Sequence, residues 1–259
     1  MSMLTVDLLG HIMLDALGIE EKFALSQVSR LWRDVALSSP LLWSSFTGGS
    51  SKIDCCRVPL ILELSGTHIH FRFNSDAKEW ATYVLKALVP YVARVETLDI
   101  QLMVVADVTP LLDNNLQFLP ADPLLRILDI ECCSPTNWHA LLVPTLEDIR
   151  LCAASDADVG TLSDIFTRCP LVWRMIMDSH HSREDKYDFQ VFTRRPLVQA
   201  LRELELRLDQ EADLERVLRI GFSDVVLHTL TVCIYNGHGY DDMEFLARNL
   251  LPGVGSNNL

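Results

Sequence analysis

Two residues that could bind one metal ion from the same face of a strand are His68 and His70 of this 259-residue chain. Residues two apart on a strand point to the same side, so these two imidazoles could hold one metal ion together. No carboxylate and no further histidine accompanies them nearby. A plain surface or core role is the alternative, and we predict no metal site and no cofactor.

The stretch 236–242 resembles a catalytic loop most, because it sets His238 between glycines and follows them with two carboxylates. A hydrolase would need such groups gathered in a tight cleft. The alternative is a turn that leads into a helix capped by Asp241 or Asp242. We expect His180 and His181 to lie in an exposed loop. The chain has no nucleophile elbow, phosphate-binding loop or dinucleotide fingerprint, so we predict that it is not an enzyme.

The seven cysteines indicate reduced thiols. The count is odd, and four of the cysteines form two adjacent pairs, Cys55–Cys56 and Cys132–Cys133, in which neighbours do not readily bridge. They never form a C-x-x-C half-site, so a zinc finger is disfavoured. This usage fits a protein of the cytoplasm, the nucleus or both.

The charge of the chain excludes two classes of partner. With 22 Lys and Arg against 35 Asp and Glu, the net charge is −13, which phosphate backbones and anionic membranes repel. No secretory signal and no apolar run of about 18 residues is present, so we expect no membrane span. We therefore predict neither nucleic acid nor membrane as a partner.

The elements that would position a site begin with three short amphipathic helices. Leu4–Leu17 has one apolar side, Glu20–Ser29 opens with two acidic residues, and the stretch Ser26–Phe46 places a second apolar stripe around Trp32. Pro40 breaks this third helix. After it comes a bulky apolar cluster, Leu41 to Phe46, which either the same domain or another protein must cover.

The order and spacing of these residues resemble an F-box of the fungal F-box-like type. The resemblance lies in Leu4, Asp7-Leu8-Leu9 and Ile12-Met13, followed by LSQVSRLWRDVALSSPLLWSSF, and it covers residues 3–47. Thr5-Val6 stands where the family usually has two prolines, and Ser29 stands where it has a cysteine. The family likeness implies an all-α three-helix module.

The resemblance further implies that the module docks onto a Skp-type adaptor of a cullin RING ubiquitin ligase. An interface of this kind is anchored by apolar side chains at helical spacing. Carried over position by position, the expected adaptor-binding residues are Leu4, Leu8, Leu9, Ile12, Met13, Leu25, Val28 and Trp32. The alternative is that all of them are internal core.

A glycine- and serine-rich segment separates this module from the rest of the chain. We predict a linker over 48–57 and a second domain over 58–259. The alternation in Val58–His70 predicts one or two strands, and the apolar stripe in Asn74–Arg94 predicts a helix.

From Val95 onward, a unit with hydrophobic residues at its first, fourth and sixth positions recurs six times. The middle residues of the units are Leu98, Leu128, Ile149, Met175, Leu204 and Leu230. Amphipathic helical segments lie between units, the last over Asp241–Leu250. The spacing is typical of degenerate leucine-rich repeats, so we predict an α/β solenoid with a parallel sheet. No polar closing repeat follows, so the array is either truncated or closed by irregular packing.

Strand residues that alternate with the buried ones would line the concave face of such a solenoid. The expected target-binding residues are Asp99, Gln101, Asp129, Glu131, Arg150, Arg174, Asp178, Glu205 and Arg207. The whole predicted lining has seven acidic and three basic positions, which favours a basic or mixed partner, although solvated strand residues would look the same.

These observations together predict a non-catalytic substrate-recognition subunit of an SCF-type ubiquitin ligase. Its N-terminal module would bind the adaptor and its repeats an unknown target protein. The alternative is a leucine-rich-repeat scaffold for protein interactions, in which the F-box-like segment is only a structural cap.

Overall fold

The structure is a computed structural model that describes residues 5–15, 18–49, 51–102, 123–131, 141–152, 165, 167–178, 200–208, 227–235 and 240–245. It is an α/β fold built around a parallel sheet, as the sequence predicts. In the described part of the chain, no helix is both long enough and apolar enough to cross a membrane.

The chain begins with three short helices, α1 (Val6–Leu14), α2 (Ile19–Ser26) and α3 (Arg30–Ser38). Helices α1 and α3 lie within the segments in which the sequence predicts them, and α2 begins one residue before its predicted segment, Glu20–Ser29. A one-turn 3-10 helix, Pro40–Trp43, follows α3 and begins at the proline that ends the regular helix.

Two of the three positions at which the chain departs from the F-box pattern, Thr5 and Ser29, are helix N-caps. The Thr5 hydroxyl accepts a hydrogen bond from the Leu8 amide, and the Ser29 hydroxyl accepts one from the Trp32 amide. Each hydroxyl supplies a hydrogen-bond acceptor to a first-turn amide, which has no acceptor within its own helix. The polar residues therefore serve to begin α1 and α3.

The sheet contains nine described strands arranged in chain order. Strands β1 to β8 are parallel, and β9 pairs antiparallel with β8. The strands are β1 (Ser45–Gly48), β2 (Ile69–Ser75), β3 (Val95–Leu102), β4 (Ile127–Glu131), β5 (Asp148–Cys152), β6 (Arg174–Asp178), β7 (Glu203–Leu208), β8 (Thr229–Tyr235) and β9 (Tyr240–Phe245).

Each of the six predicted hydrophobic units has its last two members on a strand, and these pair in register with their counterparts. Leu98 pairs with Leu128, and the row continues through Ile149, Met175, Leu204 and Leu230. The eighteen hydrophobic positions of the six units are all buried. A six-residue hydrophobic pattern therefore specifies the sheet register, because a slip of one residue would move each buried row to the other face.

The predicted strand over Val58–His70 is wrong in its first half, which is helical. Helix α4 spans Lys52–Leu64, so residues 52–57, predicted as linker, form its first turns. Its buried side chains recur at three- and four-residue steps, at Cys55, Val58, Ile61 and Leu62. Leu60 lies between Val58 and Ile61 and is 44% exposed. The alternation that predicts a strand therefore depends on a leucine that the helix exposes.

Two further predicted helices differ from expectation, the first in its extent and the second in its type. The helix predicted over Asn74–Arg94 is α5 (Lys78–Leu88) followed by a 3-10 segment, Val89–Arg94. The helix predicted to start at Asp241 is instead strand β9 up to Phe245. Backbone pairing with the otherwise open edge of β8 outweighs the weak helical pattern there.

The helices at the N-terminus and the sheet share one hydrophobic cluster that runs from Leu9 to Val232. Leu42, Trp43 and Phe46 are buried in it, so the apolar cluster after Pro40 is covered by the same chain, apart from Leu41, which is 71% exposed. The Phe46 ring stacks on Phe71 with centroids 4.9 Å apart.

Candidate interaction surfaces

The helical segment exposes apolar side chains that its own core leaves in solvent. Leu8 is 46% exposed, Ile12 37% and Val28 64%, and all three are among the predicted adaptor-binding residues. Exposed apolar side chains on short helices are the groups through which a helical module contacts a partner. We call these three residues, two on α1 and one in the turn between α2 and α3, the apolar helical set.

Other predicted adaptor-binding residues have different positions. Leu9 and Met13 are buried to 1% and 0% exposure, so direct contact with a partner does not fit either residue. They face the core because each lies about 100° around the axis of α1 from the exposed residue before it. Leu25 and Trp32 are half-buried and pack against the core, and Leu4 lies outside the described residues.

Further apolar residues in this segment are exposed, although they were not predicted to bind the adaptor. Val6 and Leu14 on α1, Leu31 and Leu37 on α3, and Leu41 after it are each more than two-fifths exposed. Helical periodicity alone assigns such residues to a core stripe. Only packing against neighbouring elements decides which side of a short helix is covered.

The second candidate surface is the polar face of the sheet. It consists of Thr97, Asp99 and Gln101 of β3 and the residues in register with them on β2 and on β4 to β8. All nine predicted target-binding residues share this face. Asp99 and Asp178 are buried, at 2% and 7% exposure, so they support the surface rather than offering contacts.

Ion pairs run across the strands at the centre of the polar face. Arg72 on β2 donates from Nε to Asp99 on β3. On the next two strands, Arg150 Nη1 lies 3.4 Å from Asp129 Oδ2. Arg72 was not among the predicted residues, because β2 was not predicted to belong to the same sheet as β3 to β8.

A second group of ion pairs continues towards the C-terminal strands. Arg174 lies between two carboxylates, 3.4 Å from Asp148 and 3.5 Å from Glu203. Arg207 contacts Glu205 at 2.7 Å and Asp178 at 3.7 Å. The acidic residues are thus extensively paired, and the face is a mosaic of both signs rather than a uniformly acidic one.

A third network lies at the edge where the strands begin. His68 Nδ1 is 2.9 Å from Glu96 Oε2, and Arg126 bridges Glu96 and Glu147 at 3.7 and 2.8 Å. His70 instead bonds to the Thr97 hydroxyl at 3.0 Å. The two histidines of the suggested metal pair therefore have separate protein partners.

Burial perturbs two carboxyl groups on the polar face. Desolvation raises the pKa of Asp129 to about 6, against the opposing effect of Arg150, and the nearby Asp99, Glu131 and Asp148 charges add to the increase. Desolvation also raises the pKa of Asp148, while Arg174 lowers it. Burial is the dominant cause in both cases.

The described residues contain no cluster of three or more histidine, cysteine or acidic groups that could hold a metal ion. Asn236 to Gly239, His180 and His181, and the Cys132–Cys133 pair lie outside the described residues. Tyr240, Asp241 and Asp242 belong to β9, so neither aspartate caps a helix there. The described geometry offers two surfaces for binding.

Comparison of the chain with protein-family models and with curated proteins yielded no match.

Proposed function

We propose that this chain is a non-catalytic substrate-recognition subunit of an SCF-type cullin RING ubiquitin ligase. In this proposal residues 3–47 are an F-box module, and the sheet and its connections are a leucine-rich-repeat-like solenoid. The observation that carries it is the apolar helical set: Leu8, Ile12 and Val28 are exposed at positions that the F-box resemblance assigns to the adaptor. Exposed apolar side chains gain free energy when a partner covers them.

Contacts of α2 with α4 and with the 3-10 turn, the elements that precede strands β2 and β1, support this function. The Arg57 guanidinium on α4 lies 3.1 Å from Glu20 and 4.9 Å from the ring centroid of Phe23 on α2. Lys22 Nζ donates a 3.0 Å hydrogen bond to the Leu42 carbonyl. A receptor that presents a target to a bound conjugating enzyme works by holding the two in a fixed relation, and these contacts supply such rigidity.

The polar face is the proposed target-binding surface. Its mosaic of ion pairs favours a partner with a mixed or basic surface, because complementary charges guide encounter and penalise wrong partners. Half-buried groups such as Gln101 and Glu131 remain accessible there. Reversal of charge at Asp129 and Glu131 is expected to weaken binding to a target identified by co-purification, and unchanged affinity would exclude this surface.

A scaffold without adaptor binding is the second candidate function. It is favoured by β1, since the end of the helical segment is itself the first strand of the sheet. On this reading the helices only cap the sheet, as the terminal units of repeat proteins do.

Co-purification of the full chain with a Skp-type adaptor separates the two candidates. The ligase proposal expects a stable complex with the unmodified chain. Absence of a complex, while the chain itself is folded by circular dichroism, would leave only the scaffold.

A further inference from the structure

Two aspartates stand side by side at the centre of the polar face. Asp99 on β3 and Asp129 on β4 are direct register partners. Neighbouring strands are about 4.8 Å apart and paired residues point to the same side, so the two carboxyl groups are adjacent.

Arginines engage these carboxyl groups from the two outer sides. Arg72 on β2 binds Asp99 Oδ2, and Arg150 on β5 binds Asp129 Oδ2. Because β2 and β5 flank the β3–β4 pair, each arginine approaches from the strand away from the other aspartate. The Oδ1 atoms are the carboxyl oxygens that the arginines leave unused.

Both Oδ1 atoms are buried without a hydrogen-bond partner. The Asp99 side chain is only 3% exposed, and that of Asp129 is 15% exposed. An unpaired carboxylate oxygen removed from water is costly, and two adjacent ones repel each other. Neither atom presents surface to water, so a side chain or hydrated cation from outside cannot reach them without rearrangement.

We propose that Asp99 and Asp129 share one proton, held between their Oδ1 atoms. Asp129 Oδ1 donates the proton and Asp99 Oδ1 accepts it. The arginine contact of Asp129 is 3.4 Å long, so Asp129 is the partner whose negative charge is less firmly held. A single proton gives both orphaned oxygens a hydrogen bond and removes the repulsion between two carboxylates.

The charged and titratable groups around the pair come from every adjoining strand. They are His70 and Arg72 on β2, Glu131 on β4, and Asp148 and Arg150 on β5. Besides burial, the charges of Asp99, Glu131 and Asp148 raise the pKa of Asp129, and the charge of Arg150 lowers it. The raised pKa favours a protonated Asp129, as the shared proton requires.

The shared proton makes stability depend on pH in a definite direction. The folded chain keeps a proton that an ordinary aspartate, with a pKa of 3.8, has released, and the pKa of Asp129 lies at about 6. The folded state therefore binds more protons than the unfolded state between these values, and stability falls as pH rises through them. Above about pH 7 the loss from this pair is complete.

The test compares urea unfolding of the full chain and of Asp129→Asn between pH 5 and 7.5. The Asn amide can donate to Asp99 Oδ1 at every pH, so the wild type should lose stability relative to the variant as pH rises. Asp34→Asn is the matched control, since it makes the same change at an exposed aspartate on helix α3, which does not act on the pair. It should retain the wild-type pH response. A wild type and an Asp129→Asn chain with parallel pH profiles would overturn the proposal.

Carbon-13 NMR of the aspartate carboxyl groups in the unmodified protein needs no stable variant. One proton per molecule should be released with a midpoint of about 6 at the Asp129 carboxyl group. Titration of all resolved aspartate signals below about pH 5 would also overturn the shared proton.

Discussion

The Trp43 indole Nε1 donates a 2.8 Å hydrogen bond to the backbone oxygen of Ala36, and both residues are buried. Ala36 lies in the last turn of α3, where carbonyl groups lose their helical partners. The bond therefore joins the end of α3 to the 3-10 turn that Pro40 begins. It fixes the direction in which the chain leaves the helical segment for β1.

Substitution Trp43→Phe should lower the free energy of unfolding by about 1–2 kcal/mol, because it removes this hydrogen bond and part of a buried ring. Urea denaturation measures the loss. Trp32→Phe is the control, since Trp32 is only half-buried. Equal losses in the two variants would mean that the bond to Ala36 contributes little.

The hydroxyl groups of the two N-caps, Thr5 and Ser29, should each stabilise the folded protein. Thr5→Ala and Ser29→Ala should each cost about 0.5–1 kcal/mol, because each leaves a first-turn amide without its hydroxyl acceptor. Thr5→Ser and Ser29→Thr retain the hydroxyl and should restore most of the thermal midpoint. If the alanine and hydroxyl variants melt together, the hydroxyls do not cap these helices.

Arg57 should contribute more through Phe23 than through Glu20. The Glu20 side chain is 67% exposed, so Glu20→Gln should cost less than about 0.5 kcal/mol. Arg57→Lys retains the charge but loses the planar group over the ring, and should cost about 0.5–1 kcal/mol. A larger loss for Glu20→Gln would assign the contact to the ion pair. Chemical denaturation of both variants decides between these outcomes.

The cysteines should differ sharply in reactivity. Burial raises the pKa of the Cys169 thiol to about 12, so almost no reactive thiolate forms near pH 8. Cys56 is exposed. Iodoacetamide followed by peptide mass spectrometry should label Cys56 in the folded protein, and Cys169 only after denaturation. Labelling of both at one rate would contradict the burial of Cys169.

Strands β3 to β8 were predictable because each carries a clear hydrophobic pattern. Two buried positions per strand, such as Leu98 and Ile100, face a shared core, and the same spacing returns in each of these six strands. Sequence therefore determined which face of each strand is buried and aligned the strands with one another. It also identified the residues that share the polar face.

The beginning of the sheet was not predictable in this way. Phe71 and Phe73 of β2 pair with Leu98 and Ile100, and so extend the same buried rows. The apolar run that precedes them belongs to α4, and the run of alternating residues hides the change from helix to strand. Arg72 was missed for the same reason, and with it the ion pair to Asp99.

The apolar helical set shows a different limit. The resemblance named Leu8, Leu9, Ile12 and Met13 together, but neighbouring residues on a helix point in different directions, about 100° apart around its axis. Only the packing of α1 against the core separates the exposed pair, Leu8 and Ile12, from the buried pair. The pairing of acidic groups with arginines likewise depends on contacts across strands that are distant in sequence.

Direct binding to a purified Skp-type adaptor, measured by calorimetry with the full chain, tests the central proposal. Leu8→Asp and Val28→Asp should each weaken binding by at least about tenfold, roughly 1.4 kcal/mol, because each places a charge in an apolar contact. Leu171→Asp is the matched control, since Leu171 is 52% exposed and lies outside the helical segment. It should bind like the wild type. No binding by the folded wild type, or equal affinities for all variants, would contradict an adaptor-docking role.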